Sequence, residues 1–250
     1  MHSTSHNQPQ FSQEAVQLRR VHTITDRFSM TNTYLVNEER LFVIDPGSAG
    51  NVDLLCWYVQ HILHRPIHDI DLIVLTHWNP DQRTATETLR AVCRAPIAAS
   101  ADVQQWLAEQ RAQKGVPSLS HITKRFLPRP KFLCNLDRLQ SDYEQQARQI
   151  SRWLHDIEGL PGHLDWRVIT SPGHSPEGLC LYNPFTRELL CGDTVITVRG
   201  GTPMVRGSTN ALQLEETIRT LCSLPVSYLY PSHGRAILSR RPFSNLDIEW

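Results

Sequence analysis

Apolar positions along the chain follow two spacings, and the switches between them divide it into elements. After a polar first fifteen residues with no apolar pattern, VQLRRVHTI, TYLV and LFVID predict short strands, broken by polar stretches at Asp26 to Asn32 and Asn37 to Arg40. That beginning reads as antiparallel. The DPGS turn at Asp45 to Ser48 opens VDLLCWYVQHILH, where Leu54, Leu55, Tyr58, Val59 and Ile62 recur at three and four and predict a helix. DLIVL at Asp71 to Leu75 is a continuous apolar run of strand length, suited to a strand covered on both faces. A helix over residues 80–93 and a strand at PIAAS follow.

Between Ala101 and Leu160 the pattern turns helical, in QQWLAEQRAQ and in YEQQARQISRWLHDI, where Tyr143, Ala147, Ile150, Trp153, Leu154 and Ile157 share one side. A connector, ITKRFLPRPKFL, joins the two. Strand signals resume with WRVIT, GLCLYN and ELLCGDTVITV, then a helix over 211–222, then VSYLYPSHG. The expectation is one α/β (α+β) domain over residues 16–250, two strand-rich halves flanking a helical insert at about 101–160.

Composition narrows the function classes. Lys plus Arg equals Asp plus Glu at 25 each, so no basic surplus draws the chain to nucleic acid or to an anionic membrane. No apolar run serves as a signal peptide or membrane span, which predicts a soluble, cytoplasmic protein. The six cysteines lie far apart without a C-x-x-C, so a zinc ribbon or disulfide framework is not expected. A small-molecule substrate fits this balance.

Four strand-like runs end in ligand-type residues: LIVLTH at His77, VITSPGH at His174, LLCGD at Asp193 and YLYPSHG at His233. Strand ends are where α/β sheets place their sites. His61, His64 and His68 sit at helical spacing without a carboxylate or cysteine partner, and read as a solvated helix face. No Ser or Cys triad, phosphate loop or dinucleotide fingerprint is present.

In the order TNTYLV, DPG, T-H-x-x-x-D, SPGHSPEGLCLY, LLCGDT and PSHG, the chain resembles the metallo-β-lactamase fold superfamily from about Asn32 to Gly234. The resemblance implies a four-layer αββα sandwich with a site along one edge, and glyoxalase-II-like hydrolysis through one or two metal ions. It assigns His77, His174, Asp193, Asp81 and His233 as metal ligands, with Asp81 and Asp193 as candidate catalytic carboxylates. The family's H-x-H-x-D-H motif reads here as H-x-N-x-D-Q, with Asn79 and Gln82 in place of two histidines. In the family, positions 77, 79 and 174 hold the first metal and 81, 82 and 233 the second, with Asp193 between them. Each site therefore loses an imidazole, and an amide oxygen is a weaker donor. The expectation is one divalent metal, zinc or iron(II), on His77, His174 and Asp193, with the second site weak or empty.

NPDQ also satisfies helix chemistry. Asparagine is a preferred N-cap, proline suits the first helical position, an acid suits the first turn and glutamine completes a capping box. Asn79 and Gln82 are thus caps or weak ligands. Arg83 and Thr84 stand where many relatives carry glycines. Tyr230, Ser232 and Arg129 are candidate substrate contacts, Arg129 within the basic run of Lys124, Arg125 and Lys131. An apolar face over 139–157 would pair two copies or cover the pocket. Three functions stay open: a hydrolase of an ester, thioester or lactone, an iron(II) persulfide-type dioxygenase, and a metal-free binding or regulatory member.

Overall fold

A computed structural model describes residues 20–26, 30–78, 82–115, 144–145, 147–198 and 201–249. Strands β1 (Val21–Thr25), β2 (Asn32–Asn37) and β3 (Leu41–Ile44) run antiparallel in turn, as their polar breaks predicted. Helix α1 (Ala49–His61) leads to β4 (Ile70–Val74), which pairs parallel with β3. Helix α2 (Gln82–Cys93) and β5 (Ile97–Ser100) continue that sheet, and α3 (Asp102–Gly115) covers the first helical stretch of the insert.

The second stretch departs from its helical pattern. Residues 152–154 form β6 (Arg152–Leu154), paired parallel with β5 at the edge of a six-stranded sheet. Ile157 lies outside the core with a left-handed φ of 66°. The apolar run Ile150, Trp153, Leu154 fits either period over so few residues, and the open edge of β5 decided it. Trp153 and Ile150 pack beside Trp78, Val103 and Leu107. Residues 139–143 of that face, with Arg129 and the basic connector, lie outside the described residues.

A hairpin of β7 (Gly159–Leu160) and β8 (His163–Thr170) begins the second sheet, which adds β9 (Leu179–Asn183) and β10 (Glu188–Gly192). A small three-stranded sheet is built from β11 (Ile196–Thr197), β12 (Pro203–Arg206) and a last strand at Asp247–Glu249. Helix α4 (Ala211–Ser223) is capped by Asn210, whose side chain accepts from the Gln213 backbone N–H at 3.2 Å. Then β13 (Tyr228–Pro231) pairs parallel with β10, β14 (Ile237–Leu238) closes the second sheet, and β15 spans Asp247–Glu249.

Period-two alternation sorts these strands into layers. Leu35, Leu41, Val43 and Ile73 face α1 and α2, while Tyr34, Phe42, Leu72 and Val74 face the other sheet. On the second sheet Leu179, Leu181 and Leu190 complete that shared core, and Cys180, Leu189 and Cys191 turn toward α4. The order is helix, sheet, sheet, helix, and strands covered on both faces explain why the sequence ran apolar without alternation. Among the described residues no helix is long and apolar enough to cross a membrane.

Across the two sheets lies a buried ionic cluster. His163 Nδ1 meets Glu38 at 3.0 Å, its Nε2 meets Asp71 at 2.9 Å, and the Trp166 indole donates to Glu38 at 2.9 Å. Burial would lower the His163 pKa, but the two carboxylates outweigh it and raise it. Glu38 is lowered, because His163, Trp166 and Arg20 more than offset its desolvation.

Candidate metal centre

The carboxyl ends of β4, β8, β10 and β13 converge at one edge of the sandwich, so their loops bring His77, His174, Asp193 and His233 together. Asp193 is the common point. His77 Nε2 stands 3.6 Å and His174 Nε2 3.8 Å from its Oδ2, and His233 Nε2 stands 3.6 Å from its Oδ1. One carboxylate oxygen thus faces two imidazoles and the other faces the third. Burial pushes Asp193 up, but His233, His77 and His174 outweigh it and hold the carboxyl down at about 2. His233 is raised, by Asp193 above all.

Hydrogen bonds behind the imidazoles decide which nitrogen carries the proton. Thr76 Oγ1 donates its one proton to Asp45 Oδ2 at 2.6 Å, so at 3.0 Å it is an acceptor for His77 Nδ1–H. His174 Nδ1 lies 3.3 Å from the Gly207 carbonyl, which can only accept. Each ring therefore turns Nε2 toward the Asp193 carboxylate, as a lone pair when the ring carries no second proton. Acceptors facing an acceptor are tolerable only with a cation or an added proton between them.

The spacing suits a metal ion. Nitrogen and oxygen ligands about 2.1 Å from a tetrahedral centre lie about 3.4 Å apart, close to the separations found. Asp193 Oδ1 is buried and has no hydrogen-bond partner among the described residues, since 3.6 Å to His233 is an ion-pair distance. As they stand, no group of three or more His, Cys, Asp or Glu among the described residues is close enough together to hold a metal ion. The donors surround Asp193 at slightly open spacing, and two have their outer nitrogen fixed as metal-binding imidazoles do.

A carboxylate unassigned by its sequence supports this ring. Asp45 is buried, with a φ of 49°, and takes the Thr76 backbone N–H at 3.0 Å, the Thr76 hydroxyl, and the Ser232 hydroxyl at 3.3 Å. Desolvation raises its pKa against the pull of His77 and Thr76. One side chain thereby steadies the residues preceding both His77 and His233. The Asn32 amide donates to the Pro231 carbonyl at 2.9 Å and the Gly234 carbonyl at 2.8 Å, pinning the His233 loop. Gly192 lets β10 approach Thr76, since a Cβ there would sit 2.7 Å from Thr76 Oγ1 at a φ of 55°.

Two expected substrate contacts have partners within the fold. Ser232 is 3% exposed and spends its hydroxyl on Asp45, out of a substrate's reach. Tyr230 packs on Tyr34, with ring centroids 5.5 Å apart, and its hydroxyl donates to Glu188 at 3.3 Å. Asn79 and Asp81 lie outside the described residues, as do the Gln82 and Arg83 side chains. Asp45, Thr76 and Glu177 were missed as supports, although DPG, T-H and SPGHSPEG were visible as strings. Nothing in a string says that a carboxyl in one sheet anchors a threonine in the next strand.

The class that this fold and edge site define is a family of metal-binding sandwich proteins. The chain belongs to the metallo-beta-lactamase superfamily, whose family model matches residues 26–233. It is similar to a probable metallo-hydrolase, MJ0888, of Methanocaldococcus jannaschii, 22% identical over 86% of this chain and 92% of that one. Similar solved structures include TTHA1623 in a di-iron-bound form, with a TM-score of 0.56 and 22% identity over 87% of this chain and 94% of that one. Another is ETHE1 from Myxococcus xanthus, with a TM-score of 0.59 and 17% identity over 90% of this chain and 82% of that one. At these identities the structures show a common fold.

Proposed function

We propose that this protein is a metal-dependent hydrolase of a small ester, thioester or lactone. The observation that carries the reading is the pair of imidazoles, His77 and His174, whose Nε2 atoms face one Asp193 oxygen while their Nδ1 atoms are held by outer hydrogen bonds. His77, His174 and Asp193 would hold one divalent ion, zinc or iron(II). A bound ion of that kind supplies an acidified water and polarises a carbonyl.

The chain's own residues do the rest. Asp193 stays ionised at neutral pH and presents Oδ1 to His233, so this pair can accept and pass on a proton at the rim of the site. Asp81 is a second candidate for the same task, from its place in the motif. Thr76 and the Gly207 carbonyl take the Nδ1–H of the two inner imidazoles, which leaves Nε2 as the atom a ligand would offer. The same two histidines and one carboxylate also suit iron(II) with open positions, the set an iron-dependent dioxygenase would use.

Metal analysis of protein purified without chelator tests the proposal. About one zinc or iron per chain, lost in His174→Ala, is the expected result. Thioesters, lactones and phosphoesters assayed with zinc, manganese and iron should then reveal a metal-dependent turnover. A chain without metal and fully stable in chelator would instead be a non-catalytic member of the fold, and the hydrolase reading would be wrong.

A further inference from the structure

Glu177 lies in the loop that carries His174, yet its side chain serves the loop that carries His77. Its carboxyl is 1% exposed, and Oε1 accepts from the Trp78 backbone N–H at 2.9 Å. Just below, the Leu179 backbone N–H donates to the Thr76 carbonyl at 2.8 Å. Thr76 with Leu179 and Trp78 with Glu177 lie on the diagonal that an antiparallel ladder follows. At the second rung a side-chain carboxyl replaces the backbone carbonyl, and His77 is held between the two. Oε2 and the neighbouring Ser175 hydroxyl are buried as well.

We propose that Glu177 is a positioning residue for the metal centre, fixing the Trp78 amide so that His77 and His174 keep their mutual setting on Asp193. The proposal rests on the metal-site reading above. The rings it aligns are 6.3 Å apart between centroids and cross at 88°. A carboxyl in this place ties the two ligand loops directly, where a core contact would only fill space. Trp78 is itself buried against Val103 and Leu107, so its backbone is set from both sides.

Two variants separate the bond from the charge. Glu177→Gln keeps an acceptor at the same reach and removes the charge, whereas Glu177→Asp keeps the charge and shortens the reach by one methylene. Zinc affinity of the full chain is measured by competition with a chromophoric chelator, and Trp78 amide exchange by mass spectrometry. Glu177→Asp should bind zinc about tenfold more weakly with faster exchange at Trp78, and Glu177→Gln should stay within about threefold of wild type. Val205→Ala, in the core beneath α4, should lower thermal stability without changing zinc affinity. Equal affinity in Glu177→Asp and wild type would overturn the inference alone, as would equal losses in the two variants. A wild-type chain that binds no zinc or iron would overturn the metal reading itself.

Discussion

Replacing Thr76 by valine removes one hydroxyl and keeps the shape. Thr76 is 2% exposed, and its hydroxyl gives a 2.6 Å bond to Asp45 and takes a 3.0 Å bond from His77. A hydrogen bond to a buried charge contributes about 2 kcal/mol, and the orphaned His77 N–H adds about 1 kcal/mol, so the variant should lose about 3 kcal/mol in urea unfolding. The larger consequence is chemical. Without the acceptor at Nδ1, nothing selects the His77 tautomer that offers its Nε2 lone pair, and zinc affinity should fall about 10-fold to 100-fold. Thr76→Ser keeps the hydroxyl and should keep most of that affinity. Competition titration with a chelator, beside urea unfolding, reads both effects. If Thr76→Val lost stability but bound zinc like wild type, the tautomer argument would be wrong and the hydroxyl would serve Asp45 alone.

Gly192→Ala places a methyl 2.7 Å from the same hydroxyl in left-handed backbone, and should cost about 1–3 kcal/mol together with weaker zinc binding. Differential scanning calorimetry and the competition assay check it; a neutral effect would mean that Thr76 moves freely. With zinc at about 100 times its dissociation constant, wild type should gain about 2.7 kcal/mol over the chelated chain, and His174→Ala should gain almost none. At the far edge, His163→Gln leaves Glu38 and Asp71 without their imidazolium. The loss should be about 2 kcal/mol near pH 6, less than for a fully buried pair because Glu38 and Asp71 keep 17% and 26% exposure. His163 has a raised folded pKa, so its contribution is full below its ordinary value and fades as pH rises through the folded one. Glu38 has a lowered one, so its contribution is full above its ordinary value and fades as pH falls through the folded one. Urea unfolding of wild type and variant across pH should therefore show the widest gap between about pH 4.5 and 6.5, and a gap that grows in alkali would contradict the assignment.

The strands were readable because their composition and their burial agree. LFVI is apolar throughout and DLIVL is apolar after Asp71, and β3 and β4 lie between a helix layer and a second sheet. The four ligand-type residues were readable because each closes such a run, and their convergence on Asp193 follows from strands that end at one edge. The stretch 143–157 was misread in part. Residues 152–154 have apolar spacing that suits a helix, and only the vacant edge of β5 makes them a strand. For Tyr230 and Ser232, nearness to His233 in sequence does not reveal that Glu188 and Asp45 take their hydroxyls. Asp45 could not be weighed at all, since its work is done through Thr76 and Ser232, on strands that sequence order keeps apart.

The amide of Asn32 reaches partners 199 and 202 positions further along the chain. A contact between such distant segments must wait until the intervening polypeptide has collapsed, because closing so long a loop costs entropy before any bond repays it. The His233 side of the cleft is thus tied down by some of the least local interactions in the molecule, while β1, β2 and β3 can pair as soon as they emerge. Ordering of the cleft belongs to the end of the folding reaction, and a chain that has formed both sheets can still lack the arrangement that binds.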